Sequence, residues 1–397
     1  MCFTVDEIER RDLAQHEVNE AAFDQNWIVY GPAGTGKTII ALARLERLCR
    51  LLPTEEHRLI SKSKMLNRWV ELSAAEMGLG ARVQTFDQFI WNKVRNLIAA
   101  DPIKVIPGPA WSEIDWDKTI PLLRAAFARN PELPKLSLIL DEAQDVRPGF
   151  FEACTIMCSR VFILMDENQK TEVFADTPRH AIAKTLGIDE RHQKYLGINY
   201  RNPKAIKDLS EVFFDGNKEE LAGIAPAEFR PVLEAPPTIR WMPFNDRESP
   251  ADQVRQVLAY CLDRPQATIC VVAPSAQHVG PTAVALTAGL AFFPILQQAE
   301  NWRVQSYIPE AFRPCNLNLC RPGIVVSTAL NLKGSEYSAV FLTQWEQSED
   351  LNPAHYTVIT RAKIRLEVLA DPSELSKNKV QTRFRNALDV GLISEVA

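Results

Sequence analysis

The sequence predicts an α/β fold of two parallel-sheet halves, and three observations carry that prediction. Short apolar runs alternate with amphipathic stretches along most of the chain, the signature of strands joined by crossover helices. One such run, Trp27-Ile28-Val29-Tyr30, ends in a glycine-rich loop that opens a helix. At 397 residues the chain is too long for one ordinary core and suits two domains of about 150 to 200 residues each.

Taken in order, the first strand leads into Gly31-Pro32-Ala33-Gly34-Thr35-Gly36-Lys37-Thr38, and Ile39 to Leu51 reads as an amphipathic helix. The pattern recurs with Arg58 to Lys62 as strand, Met65 to Met77 as helix, Arg82 to Phe86 as strand and Asp87 to Ala99 as helix. A loop rich in proline and tryptophan, Asp101 to Trp116, precedes a helix near Thr119 to Arg129. Leu136 to Leu140 is the continuous apolar run of a buried strand and ends in Asp141-Glu142-Ala143-Gln144-Asp145. Val161 to Met165 repeats the design and ends in Asp166-Glu167-Asn168-Gln169; the first half closes near Leu196.

Past Asn199-Tyr200-Arg201-Asn202-Pro203, a helix to about Phe214 leads into a polar, proline-rich stretch ending around Pro237, the most linker-like segment of the chain. The second series has strands at Thr268 to Ala273, Gly323 to Thr328, Ala339 to Thr343 and Ile364 to Ala370, with helices near Asp252 to Leu262 and His355 to Thr360. No short repeat or low-complexity tract interrupts it.

Composition narrows the class. Hydrophobic residues make up 46% and charged residues 24%, and no stretch approaches the roughly 18 consecutive apolar residues of a membrane span, so no membrane partner is expected. Met1 to Arg11 lacks the basic start and apolar run of a secretory signal, and a cytoplasmic location is the expectation. The eight cysteines are scattered through apolar segments without Cys-x-x-Cys spacing, so they read as buried hydrophobes and not as metal ligands. A net charge of −5 excludes nucleic-acid binding driven by overall positive charge; such a partner has to be argued from motifs.

The motifs carry phosphate chemistry. Gly31 to Thr38 fits G-x-x-x-x-G-K-[ST], in which Gly31, Gly34 and Gly36 let backbone N–H groups wrap phosphates, Lys37 reaches the β- and γ-phosphates of ATP, and Thr38 ligates Mg²⁺. Asp141, at the end of an apolar strand, can hold Mg²⁺ opposite Thr38, and Glu142 beside it can polarise the attacking water. Gln169, after the next strand, is placed to sense the γ-phosphate. Charge spreading onto the transferred phosphoryl group calls for cations, and Arg201 and Arg361 stand in distinctive settings.

With these residues in place, the chain resembles superfamily 1 helicases of the UvrD/Rep type, with motifs in the family's order over nearly its whole length. Gln15, sixteen residues before Gly31, looks like the adenine-reading glutamine of the Q motif. Asp141 to Asp145 is similar to motif II, Asp166 to Gln169 to motif III and Asn199 to Asn202 to motif IV. Ser327 to Tyr337 looks like motif V and Tyr356 to Lys363 like motif VI. The resemblance implies two tandem RecA-like P-loop domains: 1–200 as the ATP-binding domain, with a reduced insertion at about 95–135, and 201–397 as the second. It also implies that Tyr200 stacks on adenine, that Gly334 and Glu336 meet the nucleotide, with Glu336 on the ribose, and that Arg201 and Arg361 act as arginine fingers.

The departures concentrate on the nucleic-acid side. Thr85-Phe86-Asp87 puts an acid near where a phosphate passes, Leu330 stands in place of the usual histidine of motif V, and only Phe174 is available after Gln169 to stack on a base. Lys62, Lys64, Arg68 and Trp69 form a candidate strand-contacting patch, to which the resemblance adds Thr85, Phe86 and Thr328. About 50 residues between motifs Ib and II leave little room for a duplex-engaging domain. The expected function is an ATP-driven translocase on single-stranded DNA, with RNA left open. The alternative is an ATPase switch that gates a protein partner such as a nuclease in a repair or phage-defence complex.

Overall fold

The computed structural model describes residues 13–98, 104–107, 112–167, 177–213, 225–226, 237–241, 251–293, 302–309, 315–343, 352–370 and 379–396. The chain divides into two compact units between Gly197 and Ile198, so Asn199, Tyr200 and Arg201 belong to the second unit. Both units are α/β and each is built on an all-parallel sheet.

In the first unit the strands are β1 (Trp27–Tyr30), β2 (His57–Ser61), β3 (Val83–Thr85), β6 (Leu136–Asp141), β7 (Cys158–Met165) and β8 (Gln193–Tyr195), in spatial order β3-β2-β6-β7-β1-β8. β4 (Lys104–Pro107) and β5 (Ser112–Ile114) pair antiparallel by themselves, inside the stretch read from sequence as a loop; each is too short to show period-2 alternation. All six residues of β6 are buried, which explains its unbroken apolar run: a central parallel strand is covered on both faces. The packed faces include α1 (Leu13–Glu20), α2 (Lys37–Leu51) and α3 (Lys64–Glu76). The helix expected over 87–99 forms as Phe86–Phe89, a π-helical turn at Ile90–Val94, and Arg95–Ile98. Its apolar face joins a core with Leu123, Phe150 and Phe151.

The second unit holds β11 (Thr238–Trp241), β12 (Thr268–Ala273), β13 (Val304–Ser306), β14 (Gly323–Thr328), β15 (Tyr337–Thr343), β16 (Ala362–Ala370) and β17 (Ser394–Val396), ordered β13-β14-β12-β15-β16-β11-β17. A separate short pair joins β9 (Ile198–Asn199) to β10 (Ala225–Pro226). The four strands expected from sequence occupy the middle of this sheet. The three that were not foreseen flank them, and they are short and partly polar, so no apolar run announces them. The helix Ala276–Leu290 was not foreseen either, because Gly280-Pro281 reads as a turn.

Among the described cysteines, Cys154, Cys158, Cys261, Cys270 and Cys315 are buried thiols and Cys49 is a half-buried one, whereas Cys320 is disulfide-bonded, unlike the buried-hydrophobe reading. Among the described residues no helix is long and apolar enough to cross a membrane.

Candidate functional site

Because β1, β7 and β6 run parallel in adjacent register, their C-terminal ends lie at one edge of the sheet, where open α/β sheets receive ligands. That edge gathers three segments distant in sequence: Gly31 to Thr38, Asp141 to Asp145, and Asp166. The loop after β1 requires its glycines. A Cβ on Gly31 would lie 2.3 Å from the Leu196 carbonyl oxygen. Gly36 has φ +83° and a Cβ there would meet Gln15 Nε2 at 2.4 Å. Gln15 itself is 6% exposed and donates from Nε2 to the Thr35 carbonyl, so α1 is tied to the phosphate loop.

Lys37 starts α2, and its ammonium folds back over the loop. Nζ donates to the Gly31 carbonyl at 2.6 Å and the Pro32 carbonyl at 2.8 Å, and lies 3.8 Å from Asp166 Oδ2. The loop thus surrounds a fixed cation at a helix N-terminus, an arrangement suited to a polyphosphate.

Thr38, next in line, donates its hydroxyl to Asp141 Oδ2 at 2.7 Å across 103 residues of sequence. Asp141 is 1% exposed; burial first, then the neighbouring Glu142 charge, pushes its pKa up to about 7, against the Thr38 bond and Lys37. A carboxylate raised in this way is one that a divalent cation would stabilise in its charged form. Among the described residues no three His, Cys, Asp or Glu side chains cluster as a metal cage. One hydroxyl and one carboxylate nevertheless fit Mg²⁺, which keeps waters and phosphate oxygens as its remaining ligands.

Glu142 has φ +57°, the one positive φ at a non-glycine residue among those described. A long side chain in this left-handed region costs on the order of 1–3 kcal/mol, and such strain clusters at functional sites. The conformation turns the chain directly after β6, where Asp141 accepts from Thr38 and Glu142 is 6% exposed. Its Oε2 accepts a hydrogen bond from Gln144 Nε2 at 2.6 Å. Gln169 and Phe174 lie outside the described residues.

In the second unit, the segments Asn199 to Asn202, Ser327 to Tyr337 and Tyr356 to Lys363 converge on Glu336. Its carboxylate accepts from Arg201 Nε at 2.9 Å and from Lys363 Nζ at 2.5 Å. Burial alone would raise its pKa, but Lys363 and Arg201 outweigh that and hold it down to about 2. Both carboxylate oxygens are therefore engaged by cations, a setting not anticipated for a ribose contact. Arg201 keeps Nη1 buried without a hydrogen-bond partner among the described residues. Tyr200 beside it is half-buried, and Gly334 makes a left-handed turn at φ +79°.

Arg361, which the resemblance makes a second arginine finger, lies among backbone and hydroxyl acceptors. It is 1% exposed, and its nitrogens donate to the Thr357 carbonyl, the Ser335 carbonyl and the Thr360 hydroxyl. In this conformation its guanidinium ties Ser335 to the start of β16, because buried N–H groups are costly to leave unpaired. Arg201 is the guanidinium of the pair that retains an uncommitted donor.

The proposed strand contacts divide. Lys62, just after β2, and Lys64, the first residue of α3, are half-buried, and Lys62 Nζ lies 5.1 Å from the Phe86 ring centroid. Thr328 is also half-buried, and its hydroxyl accepts from Asn331. Thr85, Phe86 and Trp69 are buried, 6%, 8% and 3% exposed. Thr85 closes a capping box with Gln88, and Phe86 packs edge-on against Phe150 in the core. Thr85→Ala is therefore expected to cost about 1 kcal/mol of stability in denaturant unfolding, while leaving nucleic-acid affinity unchanged.

Three contributors were not recognised in the sequence. Gln144 contacts Glu142, Lys363 neutralises Glu336, and Asn202 donates from Nδ2 to the carbonyls of Thr360 and Ala362. Each stands inside a quoted motif, but its partner is unreadable without the fold. The chain matches no protein-family model and no curated protein.

Proposed function

We propose that the protein is an ATP-hydrolysing motor of the superfamily 1 helicase kind, with two RecA-like domains and single-stranded DNA as its track. The observation that carries the reading is the 2.7 Å contact between Thr38 Oγ1 and Asp141 Oδ2 beside the Lys37 ammonium. It unites three groups that phosphoryl transfer from a magnesium nucleotide needs. Lys37 would neutralise phosphate charge, and Thr38 and Asp141 would hold the metal. Bound magnesium would supply charge neutralisation at the phosphate oxygens. Glu142 takes the proton of the attacking water, and the resemblance makes Arg201 the candidate cation for the developing charge.

Turnover measured without nucleic acid and with single-stranded DNA, duplex DNA and RNA in parallel tests this reading. Magnesium-dependent ATP hydrolysis, stimulated at least about tenfold by single-stranded DNA and reduced by a paired Lys62→Ala/Lys64→Ala change, is the expected result. Hydrolysis that no single strand stimulates would remove the translocase reading.

A second reading, an ATPase switch gating a protein partner, is favoured by one observation. Thr85, Phe86 and Trp69 serve the first unit's cap and core, which thins the strand-contacting surface. It predicts turnover stimulated by that partner or by DNA ends, and processive tracking by the purified chain alone would rule it out.

A further inference from the structure

We propose that Gln144 is the positioning residue of the hydrolytic step, fixing the Glu142 carboxylate and linking it to the end of β7. The inference rests on the ATPase reading of this site. Gln144 is 1% exposed, and both ends of its amide are engaged. Nε2 donates to Glu142 Oε2 at 2.6 Å, and Oε1 accepts from the Asp166 backbone N–H at 3.1 Å.

The amide can be placed only one way round. Reversed, its carbonyl oxygen would face the Glu142 carboxylate and its NH₂ would face a backbone N–H, two repulsive contacts in a buried setting. The main chain of Gln144 is engaged as well, its carbonyl accepting from Thr177 N at 3.5 Å. Asp166 lies 3.8 Å from Lys37 Nζ through its own carboxylate. A continuous path therefore runs from the phosphate-binding cation through Asp166 and Gln144 to the general base. When phosphate draws the Lys37 ammonium off the Gly31 and Pro32 carbonyls and away from Asp166, the end of β7 is released from that charge. Gln144 is the side chain that carries the change to Glu142.

Glu142 depends on such a tether. Its backbone is in the left-handed region, and its side chain stands next to the Asp141 carboxylate, which repels it. Without the amide the carboxylate loses one of the contacts that orient it towards the attacking water. A displacement of about 1 Å at a reacting group costs up to about a hundredfold in rate.

The experiment uses the full-length chain and compares Gln144→Met and Gln144→Glu with wild type, alone and combined with Glu142→Gln. Both replacements preserve side-chain length, and thermal melting establishes that each folds. The expected result is a ten- to hundredfold fall in kcat for either single variant, with KM for ATP within about threefold of wild type. In the Glu142→Gln background the same change lowers residual turnover no further, since the group it positions is gone. Turnover within about twofold of wild type in a folded variant would overturn the proposal, as would a rise in KM at constant kcat, or losses that multiply in the double variant. If wild-type turnover itself is absent or indifferent to Lys37→Ala, the ATPase reading fails and takes this inference with it. If turnover depends on Lys37 and Glu142 but not on Gln144, only the positioning role fails.

Discussion

Lys37→Ala is expected to lower kcat/KM for ATP by at least about 10²–10³-fold, the loss seen when one preorganised charge-stabilising donor is removed from a reacting centre. The structure makes this position unforgiving. The ammonium is held between two carbonyls at 2.6 and 2.8 Å, with the 1%-exposed Asp166 carboxylate 3.8 Å away, so the loop is shaped around a point charge. Lys37→Arg sharpens the test. A planar guanidinium is wider than an ammonium and presents its donors as a fork, which two carbonyls of the same tight loop do not match. Arginine should therefore fail nearly as badly as alanine. Steady-state hydrolysis of both variants, together with binding of a fluorescent ATP analogue, measures this. An active Lys37→Arg enzyme would mean that charge alone is required and that the loop geometry is incidental.

Glu336→Gln is expected to produce the largest loss of stability in the second unit, about 2 kcal/mol, below the roughly 3–5 kcal/mol of a fully buried pair because Lys363 is 27% exposed. The substitution keeps the shape and removes the charge, leaving two cations facing a neutral amide. Its pH dependence has a definite sign. Glu336 titrates in the folded protein near 2, below its ordinary 4.5, so its stabilisation is complete above 4.5 and is lost as pH falls from 4.5 towards 2. The gap in denaturant midpoint between wild type and Glu336→Gln should narrow over that window and stay constant above it. A gap that does not change between pH 7 and the lowest pH at which both proteins fold would show that the ion pairs contribute little. Because Arg201 is one of the two cations, the variant should also change turnover if that arginine serves the reaction.

Several features could be read directly from the sequence because their causes are local. β6 is visible because a strand covered on both faces must be apolar throughout, and its exact end is marked by Asp141. The glycine-rich loop after β1 is visible because its glycines, lysine and threonine stand at spacings fixed by the backbone turn they make. The outer strands β11, β13 and β17 were invisible, since three or four residues of mixed polarity give no periodic signal. Thr85 and Phe86 show the limit from the other side. Their residue types fit a motif, yet a helix cap and an aromatic core explain them without any ligand.

By itself the sequence determined which polar groups stand where: a cation and a hydroxyl at the start of one helix, and carboxylates at the ends of apolar strands. Local chain geometry suffices for that, because each group needs only its own strand, turn or helix. The fold alone decided what those groups touch. Inserting β7 between β1 and β6 brings Asp166 beside Lys37 and gives Gln144 a backbone N–H to accept from, and the parallel start of β15 and β16 encloses Arg361 and sets Lys363 on Glu336. Contacts across a hundred residues depend on strand order, and strand order follows from how both faces of a sheet are covered, a property that no single segment possesses.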